Sequence, residues 1–196
     1  MEQEASAVRR QLPELQAAAA AASSRSSDYS NSAAAKAATA DRQLAGLRAE
    51  SQRVNLSGLA DRLGNLGALP AHLASAAAAA APSAMDSLVV EDTQPAQTCV
   101  DILRRKGLGK ATFLILEQLR RQQQRYGHGH PSDFPAERLV DQVVLSDERF
   151  RPAFYWAFRD TLVADDLERA RRLAFSSGNR RHRVVTLDGF LIDSFG

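Results

Sequence analysis

Arg151-Pro-Ala-Phe-Tyr-Trp-Ala-Phe-Arg-Asp-Thr-Leu-Val-Ala-Asp-Asp-Leu-Glu-Arg-Ala-Arg-Arg-Leu-Ala-Phe175 changes its hydrophobic period twice within one short stretch. Phe154 and Phe158 stand one helical turn apart, and Pro152 is tolerated only in a first turn, so Arg151 to Phe158 reads as a helix. Thr161 to Ala164 reads as a strand, bounded by the charged pairs Arg159-Asp160 and Asp165-Asp166. From Asp165 to Phe175 the helical spacing returns, with Asp165 at the N-cap and Glu168 three residues on, as in a capping box. Helix, strand and helix in direct succession place the chain in the α/β class.

Working outward, His182 to Leu187 and Phe190 to Asp193 flank Asp188-Gly189, a strong hairpin signal. On the other side, Leu139 to Leu145 reads as a strand. Further upstream the alternation is the same: a helix over Pro70 to Ala81, a strand at Leu88 to Glu91, and a helix over Thr93 to Lys106 with Thr93 as N-cap and Pro95 in its first turn. A strand at Ala111 to Leu116, a polar helix from Gln118 to Arg125 and a turn-rich loop from Gly127 to Pro131 follow. The class is α/β with a mixed sheet. Its halves, Leu88 to Leu116 and Leu139 to Leu187, each run strand, helix, strand, which allows a pair of similar subdomains.

The segment before Gly58 differs in kind. Residues 1–55 are rich in Ala, Arg, Gln, Glu and Ser, and apart from Tyr29 every aromatic residue lies at or after Phe113, so the large side chains that build a core are C-terminal. Leu12, Leu15, Ala19, Ala22, Ala40, Leu44, Leu47 and Val54 recur at three-, four- and seven-residue steps and make the narrow stripe of a coiled-coil seam, which the serines from Ser23 to Ser32 interrupt. An Ala-rich leader without fixed structure explains the composition equally well. Acids in Met1-Glu2-Gln3-Glu4 speak against a targeting peptide, and no apolar run is long enough to span a membrane. The single Cys99 fits a reducing compartment and reads as a small buried hydrophobe.

The candidate chemical sites have simpler explanations. Lys106-Gly-Leu-Gly-Lys110 follows a helix and precedes a strand, the reverse of a phosphate loop, and reads as a helix C-cap. His128 and His130 supply at most two metal ligands in a loop, with His72 and His182 in other elements. Asp160, Asp165 and Asp166 could be drawn as a carboxylate cluster, but the last two open a helix, where acids meet the macrodipole favourably. Phe150, Phe154, Tyr155, Trp156 and Phe158 are expected to pack rather than stack bases. Arg169, Arg171, Arg172, Arg180, Arg181, His182 and Arg183 are dense enough to engage phosphates, though the formal charge is only +2 and a solvated helix face accounts for them as well.

The run Arg151 to Ala170 and the run Arg181-His-Arg-Val-Val-Thr-Leu-Asp-Gly189 are similar, almost residue by residue, to the hinge of the structural-maintenance-of-chromosomes (SMC) family, in the branch of the larger SMC subunit of condensin. Gly58-Leu-Ala-Asp-Arg-Leu-Gly-Asn-Leu-Gly67, Leu88-Val-Val-Glu-Asp-Thr93, Ala96-Gln97 and Gly109-Lys-Ala-Thr-Phe113 fall in the family's order and spacing. Asp61 stands where the family tends to have glycine, and Ala74 to Ala81 is blander than usual.

The resemblance implies a coiled-coil arm segment over 1–55 and, over 58–196, a hinge of two similar mixed-sheet subdomains, cut before its Gly-rich end. It implies pairing with the smaller condensin SMC subunit through that subunit's hinge, DNA entrapment and mitotic chromosome condensation. Contact with the non-SMC condensin subunits would come only through the parent protein. The setting would be the nucleus and the chromosome, with a cytoplasmic period between divisions, and no membrane. No catalysis and no cofactor are expected in this segment, which has neither a Walker lysine loop nor its acidic counterpart; the parent protein's ATP chemistry belongs elsewhere. The dimer interface is expected at Gly64, Gly67, Thr112, Phe113, Leu114, Ile115, Phe190, Leu191 and Ile192, and DNA contact at Arg169, Arg171, Arg172, Arg180, Arg181 and Arg183. The alternatives are a self-associating hinge homodimer and a small α/β metal-dependent enzyme built on the His128 loop or the Asp160 to Asp166 carboxylates.

Overall fold

The computed structural model describes residues 31–50, 57–126, 134–175 and 181–193. Leu12, Leu15, Ala19, Ala22 and Val54 of the coiled-coil stripe, the loop with His128 and His130, and Arg180 lie outside the described residues. The described residues fall into two units, divided between Ala38 and Thr39. In the first, residues 31–38 are helical; in the second, residues 39–50 form helix α1.

Within the second unit the chain runs β1 (Leu59–Arg62), a 3-10 turn, β2 (Gly67–Ala68), a 3-10 turn leading into α2 (Ala74–Ala80), β3 (Leu88–Val90), α3 (Thr93–Lys106), β4 (Phe113–Ile115) and α4 (Leu116–Tyr126). It continues through a bridge residue, Arg138, a 3-10 turn (Leu139–Gln142), β5 (Val144–Leu145), a second 3-10 turn leading into α5 (Arg151–Phe158), β6 (Leu162–Ala164), α6 (Leu167–Phe175), β7 (Val184–Thr186) and β8 (Leu191–Ile192). Among the described residues three sheets result, with strand orders β1-β3-β4, β2-β5 and β6-β7-β8. The pairs β3-β4 and β6-β7 are parallel, each joined by a helical crossover, and the remaining pairs are antiparallel.

The halves repeat at the level of single hydrogen bonds. Leu63 N–H donates to Ser87 O and Leu139 N–H to Thr161 O, both at 2.8 Å. Leu88 N–H donates to Thr112 O at 2.8 Å and Leu162 N–H to Arg183 O at 2.9 Å. β1 and Arg138 are therefore equivalent, as are β3 and β6, α3 and α6, and β4 and β7. Similar subdomains, which the sequence only allowed, are what the chain forms.

The sheet β2-β5 joins the halves, with Gly67 opposite Leu145 and Ala68 opposite Val144. Val143, Phe150, Phe154 and Phe158 are buried beneath it with Leu63, Leu114, Leu139 and Val185 in one apolar cluster drawn from both halves. The aromatics of Arg151 to Phe158 are thus packing residues, with Tyr155 and Trp156 half-buried at the margin. Gly67 is required here by close approach: a Cβ would stand 2.7 Å from Phe154 Cζ and 2.9 Å from Val143 Cγ1. Gly67→Ala is accordingly expected to cost about 1–3 kcal/mol of overpacking strain, read as a lower urea midpoint with an unchanged slope.

Several local expectations change. Leu139 to Leu145 is not one strand: Leu139–Gln142 forms a 3-10 turn that buries Leu139 and Val140, and only Val144–Leu145 pairs. Asp92, not Thr93, caps α3, its carboxylate accepting from Gln94 N–H at 2.8 Å. At α6, Asp166 accepts from Arg169 N–H at 2.7 Å, so the expected pair of Asp165 and Glu168 does not form. The α3 C-cap is as expected: Gly107 is left-handed, φ 63°, with Gly107 N–H on Arg104 O and Leu108 N–H on Leu103 O. The β7-β8 hairpin also forms, with Gly189 at φ 87° and Thr186 N–H on Phe190 O across a three-residue loop.

Arg159, at the end of α5, holds φ 53° and ψ −147°, a conformation that suits only glycine. Its side chain is exposed. Arg159→Gly should therefore relieve strain and raise stability by about 1 kcal/mol, seen as a higher thermal midpoint.

Candidate protein-interaction edges

The edges of the two three-stranded sheets are set by the crossovers. β4 ends its sheet, and among the described residues β3 is its only strand partner. Because Thr112 O already accepts from Leu88 N–H, alternation along the strand turns Leu114 toward β3 and the N–H groups of Phe113 and Ile115 outward. Leu114 is buried, while Phe113 and Ile115 are half-buried. β8 ends the other sheet, with Val184 opposite Ile192 and Val185 opposite Leu191, and Phe190 in the adjoining turn is 62% exposed. Neither strand carries a lysine, a proline or an inward charge, the devices that keep an edge from pairing.

Of the residues expected at an interface, Thr112, Phe113, Leu114 and Ile115 lie on or beside one edge, and Phe190, Leu191 and Ile192 on the other. Gly64 and Gly67 are brought to neither. Gly64 lies against the Met85 carbonyl, and Gly67 lies against Phe154.

On the side of each sheet away from that edge, at β1 and at the bridge residue Arg138, lies an arginine clamp. Arg62 Nη1 donates to Asp86 Oδ1 at 3.3 Å and Nη2 to Asn65 Oδ1 at 3.1 Å. In the second half, Arg138 Nη1 donates to Asp160 Oδ1 at 2.9 Å, Nη2 to Asp141 Oδ1 at 3.0 Å and Nε to Asp141 Oδ2 at 2.7 Å. Arg138 also lies over the Phe134 ring, 4.8 Å from its centroid. Burial acts against the Arg138 charge, but Asp141 and Asp160 outweigh it and hold the guanidinium above its ordinary pKa. Burial and the neighbouring Asp160, which accepts from the Tyr155 hydroxyl at 3.0 Å, push that phenol up to about 12.

Helix α1 seats on the first half by the apolar stripe expected to face a coiled-coil neighbour. Leu44 and Leu47 are buried with Leu88, Cys99, Ile102 and Leu103. Gln43 Nε2 donates to the Leu108 and Lys110 carbonyls at 3.0 Å each. Arg48 pairs with Asp61 at 2.6 Å, Asp41 lies 3.0 Å from Arg62 Nε as a charge contact, and Glu50 meets Lys106 at 3.0 Å. Burial raises the Asp61 carboxyl pKa, but hydrogen bonds from Asn65, Arg62 N–H and Arg48 carry it below the ordinary value. Burial pushes the Cys99 thiol up to about 11, which suits a packing residue and not a nucleophile.

The acidic and basic candidates are mostly engaged. Asp160 serves Arg138 and Tyr155, Asp165 pairs with Arg169, and Asp166 caps α6. Among the described residues, no three His, Cys, Asp or Glu side chains could jointly hold a metal ion. The cluster from Arg169 to Arg183 looked free of acids because its counter-charges precede it by one helical turn. Arg169 answers to Asp165, and Arg172 meets Glu168 at 3.4 Å. Arg183 turns inward, donating to Thr161 Oγ1 at 2.9 Å and the Ala80 carbonyl at 2.8 Å, with Asp193 3.7 Å away. Arg171 and Arg181 are exposed.

Residues 56–174 match the family described as SMC proteins flexible hinge domain. The chain is 46% identical over 143 residues to structural maintenance of chromosomes protein 4 of Dictyostelium discoideum, a match that covers 72% of this chain and 10% of that protein. The chain thus spans about a tenth of the length of this relative. Among solved structures it is similar to the SMC hinge domain of Pyrococcus furiosus, with 25% identity, a TM-score of 0.58, and coverage of 81% of this chain and 86% of that one. It is also similar to the Geobacillus stearothermophilus SMC hinge domain in an asymmetric dimer, with 23% identity, a TM-score of 0.57, and coverage of 95% and 77%.

Proposed function

Because the chain belongs to the SMC hinge family, we propose that it joins a second SMC hinge through its sheet edges, and that this second hinge is the one in the smaller condensin SMC subunit. The observation that carries the reading is that β4 and β8 are end strands without edge protection, lying in different halves. One domain can therefore offer two separate seams. Edge pairing satisfies backbone donors and acceptors that water otherwise serves, and the apolar side chains flanking each edge add burial.

In this reading the domain is a joint. It would hold two long arms together at one end so that they enclose DNA, in the service of mitotic chromosome condensation in the nucleus. The domain itself performs no chemistry, and ATP hydrolysis belongs to distant parts of the parent protein. Sedimentation velocity on the chain alone and mixed with the smaller condensin SMC hinge tests the proposal: a one-to-one complex is expected only in the mixture. A dimer of the chain alone would favour the self-associating hinge, and two unchanged monomers would contradict both readings.

DNA contact is a subsidiary part of the proposal and rests on Arg171 and Arg181, two exposed members of the basic cluster; Arg169 and Arg172, also exposed, each face an acid one helical turn earlier. An anisotropy titration at low salt should show Arg171→Ala with Arg181→Ala binding a DNA oligonucleotide severalfold more weakly, with a shallower salt slope. Equal affinity would remove these residues from any DNA surface.

A further inference from the structure

The halves repeat strand for strand, yet one interaction of the first has no counterpart among the described residues of the second. Arg62 and Arg138 are equivalent, which makes Ala60 equivalent to Ala136 and Asp61 to Glu137. In the first half Arg48 of α1 donates to the Ala60 carbonyl at 3.1 Å and to Asp61 Oδ2 at 2.6 Å. Leu44 and Leu47, just before it on the same helix, are buried with Cys99. One helix therefore fills a socket for an arginine and covers the apolar surface beside it.

The second half keeps the socket. Glu137 O accepts from Val163 N–H at 2.9 Å, so the Ala136 carbonyl turns away from β6, as the Ala60 carbonyl turns outward to reach Arg48. The Glu137 carboxylate is exposed, and among the described residues its hydrogen bond comes from Gln142 Nε2, at 3.0 Å to Oε2. Two adjoining grooves of about 400 and 350 Å³ meet at Ala136, Glu137 and Gln142. The helix that precedes this segment, α4, packs against α5. Burial registers the missing cover. Asp92 and Asp166 cap α3 and α6, which makes Cys99 and Leu173 equivalent, and Cys99 is fully buried whereas Leu173 is half-buried and Phe175 is 63% exposed.

We propose that this groove is a docking site for a cationic amphipathic helix of another protein, one that sets an arginine on the Ala136 carbonyl and the Glu137 carboxylate and lays its apolar face over Leu173. A carbonyl and a carboxylate side by side only accept, so the incoming group must bring several N–H donors in one plane, as a guanidinium does. A phosphate would meet acceptors where it needs donors. Asp141 and Asp165 add negative charge to the grooves, and the arginines there, Arg138 and Arg169, are already paired with those acids, which leaves His72 as the other basic side chain of the lining. The pattern required of the helix is the one α1 carries, Leu44-Ala-Gly-Leu-Arg48. The site lies at the opposite end of its sheet from β8 and uses neither edge proposed for dimerisation.

The probe is the sequence of α1 itself: an acetylated and amidated peptide of residues 39–50, lactam-bridged between positions 45 and 49, which are exposed in α1, so that so short a helix holds its shape. It is titrated into the isotopically labelled chain and followed by NMR. Amide shifts are expected at Ala136, Glu137, Gln142 and Leu173. Arg48→Ala in the peptide and Glu137→Gln in the chain should each weaken binding about threefold to fivefold, and the two together scarcely more than either, as for one ion pair near the surface. Glu137 is exposed, so its substitution leaves the fold intact. No shifts at millimolar peptide, shifts confined to the α1 seat at Ala60 and Leu108, or undiminished affinity of the Arg48→Ala peptide would each overturn the inference while leaving the proposed dimerisation standing.

Discussion

Ile115→Pro is expected to weaken binding to the second hinge by on the order of 100-fold, about 2.7 kcal/mol, while leaving the thermal midpoint of the isolated chain nearly unchanged. The reason lies in one N–H. Ile115 turns its donor away from β3 and precedes the first residue of α4, so neither the sheet nor the helix loses a bond when the donor is removed. An incoming strand loses that bond and meets the pyrrolidine ring. Leu114→Pro is the internal control. Leu114 is buried and faces β3, so the same substitution one residue earlier removes a ladder bond and a core side chain together and should unfold the domain. Titration by fluorescence anisotropy, with circular dichroism melts of both variants, separates the two effects. Equal loss of fold in both variants would mean that Ile115 does not lie on a free edge.

Arg138→Ala is expected to cost about 3 kcal/mol, toward the low end for breaking a buried ion pair. Arg138 is 5% exposed and bonds two carboxylates, which its loss would leave facing each other across a cavity. Asp141 and Asp160 are only partly covered, at 27% and 39% side-chain exposure, and water recovers some of the loss. Asp160→Asn should cost less, about 1 kcal/mol, because a neutral acceptor remains for Arg138 and Tyr155. Arg62→Ala in the equivalent clamp should fall below Arg138→Ala, since one of its acceptors is the neutral Asn65. Urea unfolding of the four proteins gives the ranking directly.

Much of this architecture was legible in the residues, and what was not has physical causes. The helices over Arg151 to Phe158 and Thr93 to Lys106 have long apolar faces and clear terminal signals, and they form where expected. The strand expected over Leu139 to Leu145 failed because alternation of apolar residues cannot distinguish a strand from a 3-10 turn pressed into a core. The repeat, legible as two strand, helix, strand halves, is also present at the level of short matching motifs. Arg62-Leu-Gly-Asn65 and Arg138-Leu-Val-Asp141 precede Asp86-Ser-Leu-Val-Val90 and Asp160-Thr-Leu-Val-Ala164, and these two frames build the two clamps.

The segments at β4 and β8 were expected at an interface through the resemblance, while the order of elements alone fixed neither edge, nor the placement of single side chains. Gly67 was expected at the dimer interface and is packed against Phe154. Arg183 looked like part of a phosphate-binding cluster, yet its partners are Asp193 in the same hairpin and, far off in sequence, Thr161 and the Ala80 carbonyl. The stripe through Leu44 and Leu47 pointed to a helical neighbour, and its buried face is covered by the domain itself.

Amide hydrogen exchange, followed by NMR on the isotopically labelled chain with and without the smaller condensin SMC hinge, reaches the central claim most directly. The account predicts new protection at the outward-facing amides of Phe113, Ile115 and Leu191, with Leu114 already slow in the free chain. A one-to-one complex in which those three amides exchange as fast as before, with protection appearing on helices instead, would contradict it.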